Sequence, residues 1–307
     1  MRVALAGDTM LGRRVAERLE HVEPERLVAD EVAAVTREAD AVVLNLECCI
    51  SERGSPWPDP AKPFFFRAPP QAVGLLRHLG VSCVSLANNH ALDFGAEALL
   101  DTLEHLEAAG IAWAGAGADL EAARRPARVG SLAVVAFSDH PADYAAGPGR
   151  PGIALDGPWA DETVRALAAD GPVLVTPHWG PNMTRVPVAR VRRRAPALLA
   201  AGATVVAGHS AHVFHGVEGR VLWDLGDFLD DYAVDPALRN DLGLLWLVDL
   251  DAGSPSRIEA VPLALDFCFT RLADGDEAAW VRERLASACA AMGTEVTVGD
   301  GRLIVQP

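Results

Sequence analysis

The chain has 307 residues, half of them hydrophobic, and its 42 Asp and Glu residues outnumber its 27 Lys and Arg residues. The resulting net charge of −15 repels nucleic acid and anionic membrane surfaces, so we expect neither as a partner. No uncharged apolar run approaches the roughly 18 residues of a membrane span, which predicts a cytoplasmic protein. Five cysteines without CxxC spacing predict reduced, mostly buried thiols.

Strand-like and helix-like segments alternate from the N-terminus onward. Runs rich in Leu and β-branched residues predict strands at 2–8, 41–47, 81–89, 132–140, 173–180, 204–212 and 220–228. Helical patterns between them predict helices at 12–20, 27–38, 70–79, 96–109, 161–170 and 188–201. This alternation is typical of an α/β fold in which helices cover sheets.

The pattern changes after residue 220. Residues 242–251, 257–268 and 295–307 read as antiparallel strands, with a helix at 276–291. The Gly-Asp-Gly at 299–301 is a good hairpin turn. Because no linker or repeat is visible, we predict a single domain over 1–307, with 242–307 as its β-rich C-terminal part.

Residues 51–70 predict a loop, because they contain six prolines that exclude regular structure. A tryptophan and three consecutive phenylalanines also lie in this segment. Two interpretations stand: the loop packs on its own aromatic rings, or these rings line a substrate site.

Polar side chains recur at the C-terminal ends of the predicted strands. They are Asp8, Asn45, Glu47, Asn88, Asn89, His90, Asp139, His140, His178, His209, His212, Asp224 and Asp227. Ligands of open α/β sheets bind beyond these ends. Each residue alone has a structural explanation, such as a helix cap at Asp8 or Asn88, but their recurrence favours a metal or catalytic site. Carboxylate, amide and imidazole donors without thiolate suit Mn, Fe, Zn, Mg or Ca.

Five motifs make the chain similar to a known family. In chain order they are GDTMLGR (7–13), NLE (45–47), NNHALDFG (88–95), PHWG (177–180) and GHSAH (208–212). They resemble the CapA/PgsA-type proteins, which are named for poly-γ-glutamate capsule synthesis and belong to the calcineurin-like metallophosphoesterase superfamily. The resemblance covers about residues 1–230. It implies a four-layer α/β/β/α sandwich with two mixed central sheets.

The resemblance also implies a ligand set. One metal position keeps Glu47, Asn89, His178 and His209. The other keeps Asp8 and Glu47 with a displaced His212, because the superfamily's first histidine is replaced by Met10. We therefore expect one firmly bound divalent metal ion rather than a symmetric two-metal clamp.

Two His/Asp pairs are the candidate catalytic groups. His90 and Asp93 have the i, i+3 spacing of one helical face, and the resembled fold brings Asp8 beside His212. Two such pairs on opposite sides of a substrate suit exchange of a Cα proton, which is the chemistry of a peptide epimerase. A CapA-like relative in lasso-peptide biosynthesis is an epimerase of this kind.

The function predicted from the sequence is a metal-dependent enzyme acting on a peptide or polyglutamyl-type substrate, with Cα epimerisation as its sharpest version. Capsule members of the resembled family usually carry a membrane anchor, and none is visible in this sequence, which favours peptide modification. Two alternatives stay open: a metallophosphoesterase that hydrolyses a phosphate ester, and a non-catalytic, metal-containing module that binds peptides.

Overall fold

A computed structural model describes residues 1–251, 254–299 and 301–306 of the chain. The helices of the described residues are α1 (Arg13–Leu19), α2 (Asp30–Thr36), α3 (Val73–His78), α4 (Gly95–Ala109), α5 (Leu120–Arg124), α6 (Pro158–Leu167), α7 (Ala189–Ala201) and α8 (Gly275–Ala290). Short 3-10 turns lie at Pro24–Leu27, Pro70–Ala72 and Ala142–Tyr144. None of these helices combines the length and the apolar character that a membrane crossing requires.

The strands of the described residues fall into two large sheets and two small pairs. They are β1 (Arg2–Thr9), β2 (Ala41–Leu46), β3 (Cys49–Ile50), β4 (Arg67–Ala68), β5 (Val81–Ser85), β6 (Ala112–Ala114), β7 (Ala116–Gly117), β8 (Ala127–Val129), β9 (Leu132–Ser138), β10 (Gly152–Ile153), β11 (Val173–His178), β12 (Val205–Ala207), β13 (Val217–Glu218), β14 (Val221–Leu222), β15 (Asp227–Leu229), β16 (Leu242–Asp251), β17 (Ser254–Asp266), β18 (Phe269–Leu272), β19 (Val296–Gly299) and β20 (Arg302–Val305).

Both large sheets are mixed. The larger one has the order β19-β20-β17-β16-β1-β2-β5-β6, with β15 beside β1 and β18 beside β17. Strands β1, β2, β5 and β6 run parallel, whereas β16 is antiparallel to β1. The second sheet has the order β13-β14-β12-β11-β9-β8, with a parallel centre from β14 to β9. In each sheet, the C-terminal ends of the parallel strands therefore lie on the same side.

Alternating side chains of β1 show how the layers are built, because successive strand residues point to opposite faces. Ala4 and Ala6 belong to the core under helices α1 to α4. Val3 and Leu5 instead belong to the core between the two large sheets. A third core lies between the second sheet and helices α6 and α7. The predicted four-layer α/β/β/α sandwich is confirmed.

Element boundaries differ from the sequence predictions mainly at the ends that carry polar residues. Strand β5 ends at Ser85 instead of residue 89, and β12 ends at Ala207 instead of residue 212. The predicted strand 220–228 is split between β14 and β15, which belong to different sheets. Gly226 lies in the segment between them with φ +77°, where an added Cβ would lie 2.8 Å from the Phe214 nitrogen. Close backbone approach explains the break.

The C-terminal strands extend the sheet that β1 begins. β16 pairs with β1 and with β17, and β20 pairs with β17. Helix α8 starts from a capping box formed by Asp274 and Glu277. Gly299 pairs with Arg302 in the terminal hairpin; Asp300 of the predicted turn lies outside the described residues. The assignment of 1–307 to a single domain stays a prediction.

Candidate metal centre and acid–base site

Side chains from both large sheets converge beyond the C-terminal ends of their parallel strands. Asp8 lies near the end of β1, Glu47 follows β2, His178 ends β11 and His209 follows β12. All four are buried. Donor atoms of Asp8, His178 and His209 lie within 4.8 Å of one another, and so do those of Asp8, Glu47 and His212. The fold therefore assembles two candidate ligand groups that share Asp8.

The first group contains two fully buried histidines, His178 and His209. His178 Nδ1 lies 2.9 Å from His209 Nδ1, and His178 Nε2 lies 3.9 Å from Glu47 Oε1. His209 Nδ1 is 3.6 Å from Asp8 Oδ1. Asp8 is thus an additional donor for the set of Glu47, Asn89, His178 and His209 that the resemblance implies.

A fit test comes from buried polar atoms that have no protein partner. Among the described residues, Glu47 Oε1, Asn89 Oδ1 and His178 Nε2 are buried without a hydrogen-bond partner. Buried polar atoms are ordinarily paired, so three unpaired atoms from one predicted ligand set need an explanation. A divalent cation would satisfy Glu47 Oε1 and His178 Nε2, which lie 3.9 Å apart, and these two residues fit one; Asn89 as a further ligand stays a prediction.

The protonation of the two histidines agrees with this role. Burial, together with the neighbouring His209, lowers the pKa of His178 well below its ordinary value. Burial lowers the pKa of His209 to about 3. Both imidazoles are therefore neutral at pH 7, as metal coordination requires.

The second group is centred on His212. Its Nδ1 lies 2.8 Å from Asp227 Oδ1 and 3.3 Å from Asp8 Oδ2. Burial acts to lower the pKa of His212, but the carboxylates of Glu47 and Asp8 outweigh it and the pKa is raised. Burial and the nearby Asp8 raise the pKa of Glu47.

Neighbouring residues explain how Asp8 and Met10 are used. Asp8 accepts a hydrogen bond from Asn45 Nδ2 at 2.7 Å and one from the Ser210 nitrogen at 3.2 Å. The interpretation of Asp8 as a helix cap is wrong, because α1 begins after Gly12 without a side-chain cap. Met10 is fully buried, and its Sδ accepts a hydrogen bond from the Gly12 nitrogen. Its side chain is part of the core.

The predicted acid–base pair is present as a buried contact. His90 Nδ1 lies 2.6 Å from Asp93 Oδ2. The two residues lie in the turn before α4, so the i, i+3 contact forms outside a regular helix. With Nδ1–H donated to Asp93, His90 keeps Nε2 for proton transfer. Burial lowers the pKa of His90 to about 4 although Asp93 opposes this shift, so the ring is neutral at pH 7.

Asp93 is held by groups that the sequence did not reveal. Its carboxylate accepts hydrogen bonds from the Phe66 nitrogen at 2.6 Å and from Tyr144 Oη at 2.9 Å. Lys62 Nζ lies 2.9 Å from Asp93 Oδ1 and also donates to the Asn89 carbonyl. Nothing in the sequence near Tyr144 connects it with Asp93, because 51 positions separate them.

The aromatic rings of the loop at 51–70 contact one another and the candidate site. The Phe66 ring stacks on His90 with the ring centres 3.8 Å apart, and Phe64 stacks on Phe66 at 6.5 Å. Phe66 also lies 5.9 Å from Tyr232, whose hydroxyl donates to Glu47 Oε2 at 3.3 Å. The loop therefore packs on its own aromatic rings, and one of these rings, Phe66, stacks on the histidine of the acid–base pair. The three consecutive phenylalanines were the available signal; Tyr232 had none.

Asn88, Asp139, His140 and Asp224 are the remaining strand-end residues, and the Asp224 carboxylate accepts hydrogen bonds from the Ala211 and Gly226 nitrogens at 2.9 Å. Asn88 donates to Asn45 Oδ1 and the Leu46 carbonyl, and its Oδ1 accepts from the His90 nitrogen. His140 pairs with Asp139, and its ring centre lies 5.4 Å from that of His178. Asn88 is thus structural, whereas His140 flanks the first ligand group.

A four-layer α/β/β/α sandwich with carboxylate, imidazole and amide donors at the ends of strands from both sheets is the architecture of calcineurin-like metallophosphoesterases. Within that class, the chain belongs to the family described as bacterial capsule synthesis protein PGA_cap, whose model matches residues 2–232. The resemblance inferred from the five motifs is confirmed.

Three relatives illustrate the family. A probable polyglutamine synthesis accessory protein of Mycobacterium tuberculosis (strain ATCC 25618 / H37Rv) is 32% identical over 98% of this chain and 94% of its own length. The PGA biosynthesis protein CapA of Bacillus subtilis (strain 168) is 27% identical over 74% of this chain and 63% of its own. The capsule biosynthesis protein CapA of Bacillus anthracis is 26% identical over 75% of this chain and 59% of its own.

Proposed function

We propose that the chain is a metal-dependent enzyme that acts on a peptide or polyglutamyl-type substrate by His/Asp acid–base chemistry, with epimerisation at a Cα as the reaction. The observation that carries the proposal is that two histidines paired with aspartates adjoin one cluster of ligand side chains: His90 with Asp93, and His212 with Asp227 as well as with the predicted Asp8. The substrate class is supported by the relatives, which are named for polyglutamine, PGA and capsule synthesis.

The two histidines follow strands of different sheets, β5 and β12, but are joined by aromatic rings. His90 stacks on Phe66, Phe66 lies 5.9 Å from Tyr232, and the ring of Tyr232 lies 5.1 Å from that of His212. A substrate bound over the cluster would therefore have one imidazole from each sheet within its surroundings. Epimerisation needs such a pair, because one group removes the Cα proton and another returns a proton from the opposite face.

The opposite pKa shifts suggest which histidine does which. The lowered pKa of His90 leaves Nε2 unprotonated and able to accept the proton. The raised pKa of His212 favours its protonated form, which can return one. Paired groups with divergent pKa values are the usual arrangement for acid and base. A divalent cation held by Glu47, Asn89 and His178 would polarise the substrate carbonyl.

The test is proton exchange in D2O. Metal-loaded protein is incubated with short α- and γ-linked glutamyl peptides, and deuterium at Cα is read by mass spectrometry and NMR. We expect incorporation of one deuterium with partial inversion, and a loss of about 10²- to 10⁴-fold in rate for His90→Ala. The exposed His21→Ala is the matched control. No exchange with any glutamyl peptide, or exchange that survives His90→Ala, contradicts the proposal.

Phosphate-ester hydrolysis is the second candidate, and one observation favours it. Asp8, Glu47 and His212 form a complete three-donor group next to the first one, and paired metal ions suit displacement at phosphorus. His212 distinguishes the two reactions, since it is a proton donor in the first and a ligand in the second. Two metal ions per chain, falling to one in His212→Ala, with turnover of p-nitrophenyl phosphate, would favour hydrolysis. One ion per chain and no turnover would reject it.

A further inference from the structure

We propose that Arg13 forms a carboxylate-binding subsite at the edge of the candidate site and selects acidic peptides; this inference rests on the proposed function. Arg13 is the last residue of the GDTMLGR motif and begins α1. Neither the ligand groups nor the acid–base pairs account for it. Its side chain is about one-third exposed, so it is open to a ligand.

The aromatic loop places Arg13 beside the acid–base pair. The guanidinium carbon lies 5.1 Å from the centre of the Phe64 ring and 5.8 Å from that of Phe66. Phe66 is the ring that stacks on His90. One aromatic side chain therefore separates Arg13 from the proposed base. A group bound by the guanidinium would lie at the edge of the reacting site.

The backbone at Arg13 supports this position. Arg13 has φ +49°, a left-handed conformation that a non-glycine residue adopts at a cost. The preceding Gly12 lies against the loop, because a Cβ there would lie 2.8 Å from the Arg67 nitrogen and 2.9 Å from the Phe66 Cα. Glycine at 12 thus brings α1 into contact with the loop, and the turn aims Arg13 along the rings.

The guanidinium is tethered in a way that leaves its outer nitrogens available. Nε lies 3.2 Å from Oδ2 of the buried Asp231, and this is the only carboxylate paired with Arg13 in the described part of the chain. The terminal Nη1 and Nη2 atoms are the pair that binds a carboxylate in bidentate fashion. A planar guanidinium supported by aromatic rings is thus preorganised for that ligand.

Charge explains why such a subsite is needed. A chain of net charge −15 repels a polyanionic peptide at long range, so a local cation must select it. Lys62 is another cation near His90, but it is nearly buried and paired with Asp93. Arg14 points elsewhere and pairs with Glu17. Arg13 is therefore the cation placed to meet a substrate carboxylate.

The test measures binding, by calorimetry, of a short glutamyl peptide and of its glutamine analogue, which lacks the side-chain carboxylates. We expect Arg13→Ala to weaken binding of the glutamyl peptide by about 10- to 100-fold and binding of the glutamine analogue by less than about twofold. Only the glutamyl peptide has a carboxylate that can pair with the guanidinium. Arg13→Lys should lose most of that affinity, because an ammonium group cannot bind a carboxylate in bidentate fashion. Arg14→Ala is the matched control.

Removal of Arg13 leaves Asp231 without its cation, so thermal unfolding and metal content are measured on each variant. Arg13→Lys keeps the positive charge beside Asp231, so it tests the bidentate geometry of the guanidinium in a folded protein. Equal weakening of both peptides, or no weakening in either variant, overturns the subsite, and so does wild-type protein that prefers the glutamine analogue. Metal content and Cα exchange with neutral peptides judge the proposed function separately.

Discussion

The adjacent residues Asn88 and Asn89 have the same side chain but different surroundings. Asn88 is fully buried and uses both its amide nitrogen and its oxygen within the protein. Asn89 is half-buried, and its Oδ1 has no partner among the described residues. The first side chain joins the ends of β2 and β5, whereas the oxygen of the second accepts no hydrogen bond from the described residues. Burial and hydrogen bonding therefore give Asn88 a structural role and leave Asn89 as the candidate ligand.

Substitution of each asparagine should separate these roles. Asn88→Ala should lower the free energy of unfolding by about 2–3 kcal/mol, because it leaves buried partners unpaired. Asn89→Ala should change it by less than about 0.5 kcal/mol in metal-free protein, and it should lower the metal content per chain. Urea unfolding and elemental analysis of both variants check this. Loss of metal from a normally folded Asn88→Ala would reverse the assignment.

Strand β1 delivers Asp8, and its register with β16 decides where that side chain points. Arg2 lies opposite Asp249 in the antiparallel ladder. Arg2 Nε and Nη2 donate to the two carboxylate oxygens of Asp249 at 2.7 and 2.8 Å. A slip by one residue would turn every side chain of β1 to the other face, including Asp8. The ion pair between Arg2 and Asp249 thus belongs to the native register, and it lies at the opposite end of β1 from Asp8.

The pH dependence of Asp249 tests this pair. The hydrogen bond from Arg2 holds the pKa of Asp249 below its ordinary value in the folded protein. The resulting stability is present above the unfolded pKa of about 3.9 and is lost as the pH falls through the folded pKa. Asp249→Asn should therefore destabilise the protein by about 0.5–1 kcal/mol at pH 7, and by much less near pH 3.

The measurement compares urea unfolding of wild-type protein and Asp249→Asn across this range. The exposed Asp251→Asn, on the same strand, is the control and should follow the wild type. A destabilisation by Asp249→Asn that is the same at pH 7 and pH 3 would show that the ion pair is not its cause.

At the scale of the whole molecule, the two sheets hold carboxylates that repel one another. Burial and mutual repulsion raise the pKa values of Glu47 and Asp227, and burial raises that of Asp8. Folding without a cation therefore costs free energy at neutral pH, which a bound cation would offset. Since Asp8 and Glu47 belong to one sheet and His178 to the other, a cation would also link the sheets.

Metal removal should therefore destabilise the entire sandwich. We expect chelated protein to melt at a lower temperature than protein with a divalent metal at 100 times its dissociation constant, which corresponds to about 2.7 kcal/mol. Differential scanning calorimetry with Mn, Zn, Fe, Mg and Ca measures this. In His178→Ala the metal-dependent difference should shrink. Identical melting of wild-type protein with and without every metal would contradict the metal centre.

Prediction from the sequence succeeded where a signal is local. Runs of Leu and β-branched residues placed most strands of both sheets, because the central strands are buried on both faces and are therefore apolar along most of their length. Polar residues at strand ends, together with the motifs, identified Asp8, Glu47, His178, His209 and His212, which the structure brings together. The pair His90–Asp93 was also within reach, since only three positions separate its members.

Contacts between distant segments were decided by the tertiary structure. Lys62 and Tyr144 meet at Asp93, and Arg13 lies on the rings of the loop, although no sequence pattern links these residues. The place of Asp8 beside His178 and His209 depends on how two separate sheets pack. The sequence by itself determined the α/β layers and the chemical types at the site. Which of them touch was left to the tertiary structure, because packing, not spacing along the chain, brings residues that are 50 to 200 positions apart into contact.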